Sequence, residues 1–175
     1  RGYVAQLADR YARRADVLLY ATPDRPVLNH VGQVTSDGQW LILTSSSGTD
    51  DRFEIHGRKI AGGKAMGAPL VPIITGFDNN WSLIDGVGDQ MWFMTNKNAP
   101  RLKVVTAQIV PGKAPQWQDI VAERPETLDG ASIVGDKIIL AYLKDAQAEV
   151  EMVTLSGATA GKVDLGGIGT AAAIA

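Results

Sequence analysis

One local pattern occurs three times in this chain: a glycine-bearing turn followed by a half-buried strand. The copies are Asp37–Leu43, Gly88–Met94 and Gly135–Leu140. When they are aligned on Trp40, Met91 and Ile138, successive copies lie 51 and 47 residues apart. Periods of about 40–50 residues are typical of propeller blades or helical arrays. Because the turns carry glycine and the segments between them are rich in β-forming residues, the pattern favours blades.

Composition narrows the class of protein. The chain has 175 residues, 45% of them apolar and 21% charged, as expected for a globular domain. The net charge of −2 gives no reason to expect a nucleic-acid partner, which needs a clustered excess of Lys and Arg. With no cysteine, disulfides, thiolate catalysis and cysteine zinc sites are excluded.

Location in the cell is left open by the sequence. No apolar run approaches the roughly 18–20 residues that span a bilayer, so no membrane partner is predicted. The compartment stays open between the cytoplasm and the bacterial periplasm. Because the chain begins at Arg1 and not at Met, we expect it to be a piece of a longer protein.

The order of strand and turn signals along the chain predicts an all-β fold. Each period has room for four antiparallel strands, which is the meander of one blade. We expect about three four-stranded antiparallel blades of a β-propeller, near residues 30–75, 81–122 and 130–166. Residues 1–29 would be the end of a preceding blade, with a strand ending near Tyr20, although residues 1–16 alone have the composition of a short helix. Residues 1–175 then form a partial propeller domain, since a ring needs about four to eight blades.

Candidate catalytic and metal-binding residues are few. The GxSxG motif of a nucleophile elbow does not occur. His30 and His56 lack carboxylate or histidine neighbours at ligand spacing, so we expect strand-end or core histidines. Asp50 and Asp51 would point to opposite faces of a strand, and the first is expected to cap a turn. We therefore predict no catalytic residue and no metal site in this segment.

Two glycine motifs and the four tryptophans have structural explanations. Gly167–Ala172 formally matches GxGxxA but lacks the acidic residue about twenty positions later, and Gly62-Gly63-Lys64 is expected to be a hairpin. No cofactor is predicted. The tryptophans are expected on strands, packed in the core. They are Trp40, Trp81, Trp92 and Trp117.

Four blocks, in order, resemble the propeller of the prolyl oligopeptidase family of serine peptidases. Residues 34–50 are similar to that family's VSxDGRxLxLxxxxGxD segment, and residues 85–105 to a blade strand followed by the TNxxAPxxKVV hairpin. Residues 120–126 resemble a strand leading into VPE, and residues 140–150 resemble LxxYLxDAxxxV. The resemblance covers the chain from Asp16 onward.

This resemblance implies a seven-bladed propeller that caps an α/β-hydrolase domain and restricts access, so that peptides but not folded proteins reach a Ser/Asp/His triad. None of that triad lies in this segment. The resemblance also implies substrate-facing positions: Ser46 stands where the family can present an arginine, Thr49 where some members have a cysteine, and Asn29 where a methionine faces the cavity. Serine cannot supply a charged bidentate donor.

The leading hypothesis is a segment of the gating propeller of a prolyl oligopeptidase-like endopeptidase that cleaves short peptides after proline. Its partners would be proline-containing peptides, the α/β-hydrolase domain and the remaining blades. The alternative is a non-catalytic propeller scaffold that binds a protein partner. A third, weaker option is a sugar-binding module that uses the tryptophans.

Overall fold

A computed structural model describes residues 18–65, 67–144 and 147–163. These residues form twelve β-strands. The strands are β1 (Leu28–Val34), β2 (Trp40–Ser47), β3 (Phe53–Lys59), β4 (Leu70–Ile74), β5 (Trp81–Val87), β6 (Gln90–Thr95), β7 (Lys103–Gln108), β8 (Gln118–Val121), β9 (Thr127–Val134), β10 (Lys137–Lys144), β11 (Gln147–Thr154) and β12 (Thr159–Val163). No helix in the described part of the chain is long and apolar enough to cross a membrane.

The strands form three four-stranded antiparallel sheets, each a meander of consecutive strands: β1 to β4, β5 to β8 and β9 to β12. The predicted all-β chain of three four-stranded antiparallel blades is therefore confirmed. The described residues fall into two compact units. The first holds residues up to 79 with 109–114, and the second holds residues 80–108 with those from 115 onward.

The repeated turns use glycine for a conformational reason. Gly88 and Gly135 open two-residue turns between paired strands and have φ of 61° and 60°, a region that other residues avoid. The first copy is a longer turn, in which the Asp37 carboxylate accepts hydrogen bonds from the Thr35 hydroxyl at 2.7 Å and from the Gln39 amide at 3.0 Å. The expected hairpin at Gly62 and Gly63 is also present.

The middle strands β2, β6 and β10 have buried side chains at consecutive positions, so each is buried on both faces. In the second unit the sheets β5–β8 and β9–β12 share one hydrophobic cluster, which includes Trp92 and Val104 from one sheet and Leu128, Ile138 and Leu140 from the other. In the first unit the core side of β2 presents Trp40, which is fully buried. Burial of large apolar side chains at alternate strand positions thus stabilises each sheet.

Two strand predictions were wrong. Residues 18–20, the described part of the strand expected to end near Tyr20, are not in a strand. Tyr20 is buried instead because its ring packs against His30 and His56, with centroids at 4.9 and 5.8 Å. Trp117 lies before β8, off the strand, and it is only half-buried. Residues 1–16, the motif Gly167–Ala172 and the end of the third predicted blade lie outside the described residues.

Candidate functional site

The three positions predicted to face substrate lie together at one corner of the first sheet. Asn29 in β1 and Ser46 in β2 are directly opposite each other in the strand register. The Asn29 amide donates to the Gly48 carbonyl at 3.3 Å, which ties β1 to the turn that carries Thr49. Asn29 and Thr49 are exposed and Ser46 is half-buried. The corner is therefore polar, open and uncharged.

The same turn is closed by Asp50 and Arg52. The Asp50 carboxylate accepts hydrogen bonds from the Arg52 backbone amide at 2.9 Å and from its Nε at 2.8 Å, and it forms an ion pair with the guanidinium. These interactions, the side-chain hydrogen bond first, lower the pKa of Asp50 to about 2. The prediction that Asp50 caps a turn is confirmed, and a capped turn holds Thr49 beside the strand end.

Behind this corner His30 is the centre of a polar network. Its Nδ1 is hydrogen-bonded to the Ser45 hydroxyl at 2.8 Å and its Nε2 to the Thr22 hydroxyl at 2.9 Å. A nucleophilic serine needs an accessible oxygen and a histidine oriented by a third group, usually a carboxylate. Ser45 is fully buried and the second histidine nitrogen contacts a threonine. The pair is therefore structural, and His30, which was expected to be a strand-end or core histidine, lies within β1 and is half-buried.

His56 lies in β3 and packs against Tyr20, whose ring also contacts His30. Its Nδ1 is buried without a hydrogen-bond partner among the described residues. Burial lowers the pKa of both histidines, and the positive charge of Arg25 adds to this effect at each. Both imidazoles are thus held neutral near pH 7. Within the described ranges no group of three or more metal-ligating side chains is gathered.

Arg25 places a positive charge beside the two histidines, and its role was not predicted from the sequence. Its guanidinium forms an ion pair with Glu54 at 2.7 Å, and the other Glu54 oxygen accepts from the Gly76 amide at 3.2 Å. The pair joins Arg25, in the turn before β1, to Glu54 in β3, 29 positions later in the sequence. Only the bracketing prolines Pro23 and Pro26 signalled an ordered turn. A pocket of about 370 Å³ adjoins this turn and is lined in part by Leu18, Leu28 and His30.

A second pocket, of about 180 Å³, lies in the other unit. Trp81 and Trp117 line it, with ring centroids 4.9 Å apart and planes inclined by 44°. Phe93 contacts both rings edge-on. The pocket is also lined by Lys97, Asn98, Lys103, Val105 and Asp119. An aromatic pair beside charged groups can bind a compact ligand that has both an apolar and a polar part.

Comparison with known proteins agrees with this fold. The family model described as prolyl oligopeptidase, N-terminal β-propeller domain, matches residues 11–175. A curated prolyl endopeptidase from Elizabethkingia miricola is 31% identical over 140 residues, and one from Elizabethkingia meningoseptica is 30% identical over 138. The alignments cover 80% and 79% of this chain but 19% of each relative. The chain thus spans about one fifth of the length of these relatives.

Solved structures are similar as well. A prolyl endopeptidase studied for the role of inter-domain dynamics in catalysis and specificity matches with a TM-score of 0.81 at 36% identity, over 87% of this chain and 22% of its own. Prolyl oligopeptidase B from Galerina marginata matches with a TM-score of 0.80 at 19% identity, over 89% of this chain and 22% of its own, which shows likeness of fold alone. By sequence and by fold, the chain belongs to the prolyl oligopeptidase family and is part of its N-terminal β-propeller domain.

Proposed function

We propose that this chain forms part of the wall and gate of the substrate chamber in a serine endopeptidase that cleaves short peptides after proline. The observation that carries the proposal is the family match over residues 11–175 together with the meander sheets that it requires. The relatives that support it are named prolyl endopeptidases. The role of this segment is exclusion and binding, and the chemistry belongs to a hydrolase domain.

The geometry of the first sheet supports a binding role without catalysis. In the Ser45–His30 pair the serine is fully buried and the histidine contacts no carboxylate, so the pair cannot act as a nucleophile and base. Ser46, Thr49 and Asn29 instead form an uncharged polar corner. Hydroxyl and amide groups of this kind can donate to and accept from a peptide backbone. We infer that the corner faces the peptide, with weaker and less directional contacts than an arginine would make at residue 46.

The test compares the intact parent protein with this chain alone. The intact protein is expected to cleave chromogenic peptides after proline and to lose that activity with a serine-directed inhibitor. A series of substrates of increasing length should show a sharp fall in kcat/KM when the substrate becomes a folded protein. The 175-residue chain should show no turnover.

Two results would overturn the proposal. Turnover by the isolated chain that a serine-directed inhibitor abolishes would place the chemistry in this segment. An intact protein that cleaves no proline-containing peptide and has no inhibitor-reactive serine would favour the alternative, a non-catalytic scaffold.

A further inference from the structure

Two tryptophans, Trp81 and Trp117, line the second pocket. A buried tryptophan normally finds an acceptor for its N–H. Trp92 does so, because its indole donates to the Leu155 carbonyl at 3.0 Å. Trp81 is only 5% exposed and Trp117 is half-buried, and both rings form part of the pocket wall.

The charges at this pocket favour an anionic group. Lys103 is already neutralised, since its ammonium contacts both Asp119 oxygens at 2.9 and 3.0 Å. Lys97 is exposed and makes no ion pair with any residue in the described ranges. Two lysines against one aspartate leave one positive charge unbalanced at the pocket. A carboxylate there would gain a charge-assisted hydrogen bond.

The loop that carries Lys97 is held in a fixed conformation. The Lys97 amide donates to the Thr95 hydroxyl at 3.1 Å, and the Asn96 side chain accepts from the Asn80 amide at 2.9 Å. Asn98 and Leu102 have φ of 54° and 69°, a conformation that is costly for leucine. Strained backbone of this kind persists where the surroundings enforce it and clusters at ligand sites. These contacts fix the backbone position of Lys97 beside the pocket.

We propose that this pocket binds the C-terminal proline of a peptide. The pyrrolidine ring would pack chiefly against the half-buried Trp117, beside Trp81, and the carboxylate would pair with Lys97. The ring suits the site because aromatic-lined sites recognise proline, whose fixed φ leaves little conformational entropy to lose. At about 180 Å³ the pocket is smaller than sites for drug-sized ligands, which are roughly 300–1,000 Å³, so it admits about one residue.

The chemistry of such a ligand follows from the proposed function, on which this inference rests. Hydrolysis after proline breaks the amide between proline and the next residue and adds one water. The acyl side keeps the oxygen as a proline carboxylate, and the other side leaves as an amine. The ligand class is therefore the N-terminal product of the reaction, and the pocket would retain product on the propeller.

A carbohydrate is the competing occupant and fits less well. A pyranose stacks flat on an aromatic platform, whereas the Trp81 and Trp117 rings are inclined to each other by 44°. The unbalanced lysine also favours an acid over a neutral sugar.

The experiment is a titration of the 175-residue chain followed by its indole N–H resonances, which needs no catalysis. The probes are N-acetyl-alanyl-proline, its C-terminal amide, and N-acetyl-alanyl-alanine. We expect the proline acid to shift the Trp81 and Trp117 resonances while that of Trp92 stays unchanged. We expect about fivefold weaker binding of the amide, the value of one exposed charge pair, and weaker binding still of the alanine peptide.

Matched variants separate binding from folding. Lys97→Gln should remove the difference between acid and amide, whereas Lys113→Gln, an exposed lysine outside the pocket, should leave it intact. Trp117→Leu should abolish the shifts of Trp81 while the far-ultraviolet circular dichroism is retained, because Trp117 is half-buried and off the strands.

The outcomes are distinct. Absence of shifts, equal binding of the proline and alanine acids, or shifts produced by cellohexaose and not by the proline acid would each overturn the proposal. A negative titration with an active parent enzyme refutes the pocket alone. A positive titration with an inactive parent refutes the proposed peptidase and leaves a proline-carboxylate site standing.

Discussion

His30 and Ser45 lie directly opposite each other in β1 and β2, and the His30 Nδ1 is hydrogen-bonded to the Ser45 hydroxyl at 2.8 Å. The other ring nitrogen contacts the Thr22 hydroxyl, which fastens the turn before β1 to the sheet. Because the serine is fully buried, the contact belongs to the core. A residue pair that resembles part of a catalytic triad thus serves to hold a segment of chain.

We expect the stability of the first unit to fall as the pH is lowered from about 7.5 towards 5. The folded chain has lowered pKa values at His30 and His56, whereas the unfolded chain binds protons near the ordinary value of about 6.5. Below that pH the unfolded state takes up more protons, so the free energy of unfolding decreases until the folded-state pKa values are reached.

Thermal unfolding followed by circular dichroism across this range checks the prediction. The double variant His30→Gln with His56→Gln should be less stable at pH 7.5 but nearly flat between pH 7.5 and 5, because ordinary carboxylates titrate at about 4. An equally steep pH dependence in the double variant would show that other groups cause it.

A glycine in the second unit should tolerate no side chain. Gly157 has φ of 90°, and a Cβ atom there would lie 2.2 Å from the Ile120 carbonyl oxygen in β8. Gly135 also has positive φ, at 60°, but a Cβ atom there would meet nothing within 4 Å. Gly157→Ala should therefore cost at least about 2 kcal/mol more than Gly135→Ala, since backbone must move to relieve the clash.

Urea denaturation followed by tryptophan fluorescence measures both variants. Both substitutions place alanine at positive φ, so their difference reports mainly on the contact with Ile120. Equal losses would mean that the β11–β12 turn shifts freely away from β8.

Much of the fold could be predicted because its signals are local. The turns at Gly88 and Gly135 and the half-buried strands after them depend on residues a few positions apart. The strand errors arose where an apolar run had another use. Leu18–Tyr20 has the apolar sequence of a strand, but Tyr20 packs against two histidines. Trp117 continues the apolar pattern of β8, but it lies just before that strand begins.

The sites could be predicted only in part. Ser46, Thr49 and Asn29 came from resemblance, and the strand register that sets Asn29 opposite Ser46 needed the structure. The Arg25–Glu54 pair and the Trp81–Trp117 pair each join residues about 30 or more positions apart. Contacts of that range depend on how a sheet is paired, and no local pattern encodes them.

The hydroxyl of Tyr142 should be dispensable for stability. It is buried without a hydrogen-bond partner among the described residues, and burial raises the pKa of Tyr142. The Arg124 guanidinium lies 3.6 Å above the ring and can stay there over phenylalanine. Tyr142→Phe should therefore leave the free energy of unfolding unchanged or raise it by up to about 1 kcal/mol.

A bonded hydroxyl in the same unit provides the control. Thr106 is buried and its hydroxyl donates to the Met91 carbonyl at 2.7 Å, so Thr106→Val should cost about 1–2 kcal/mol. Chemical denaturation of the two variants compares an unpaired with a paired hydroxyl. A loss above about 1 kcal/mol in Tyr142→Phe would show that this hydroxyl finds a partner in solution.

An arginine at residue 46 should strengthen peptide binding in the intact enzyme, if the corner of Asn29, Ser46 and Thr49 faces substrate as proposed. The guanidinium supplies a charged, bidentate donor that serine lacks. Ser46→Arg should lower KM for short proline-containing peptides by about tenfold, the value of one charged hydrogen bond of roughly 1.4 kcal/mol. The kcat should change little, because the residue does not touch the reacting atoms.

The neighbouring serine tests whether position or charge matters. Ser47 is exposed in the same strand, and its side chain points to the other face of the sheet. Ser47→Arg adds the same charge and should leave KM within about twofold. A twofold change corresponds to a free-energy difference below the ~0.5 kcal/mol expected of a surface substitution. Initial rates with a proline-containing chromogenic peptide give both constants. If the two arginine variants lower KM equally, the effect is long-range electrostatic attraction, and the corner does not contact the peptide.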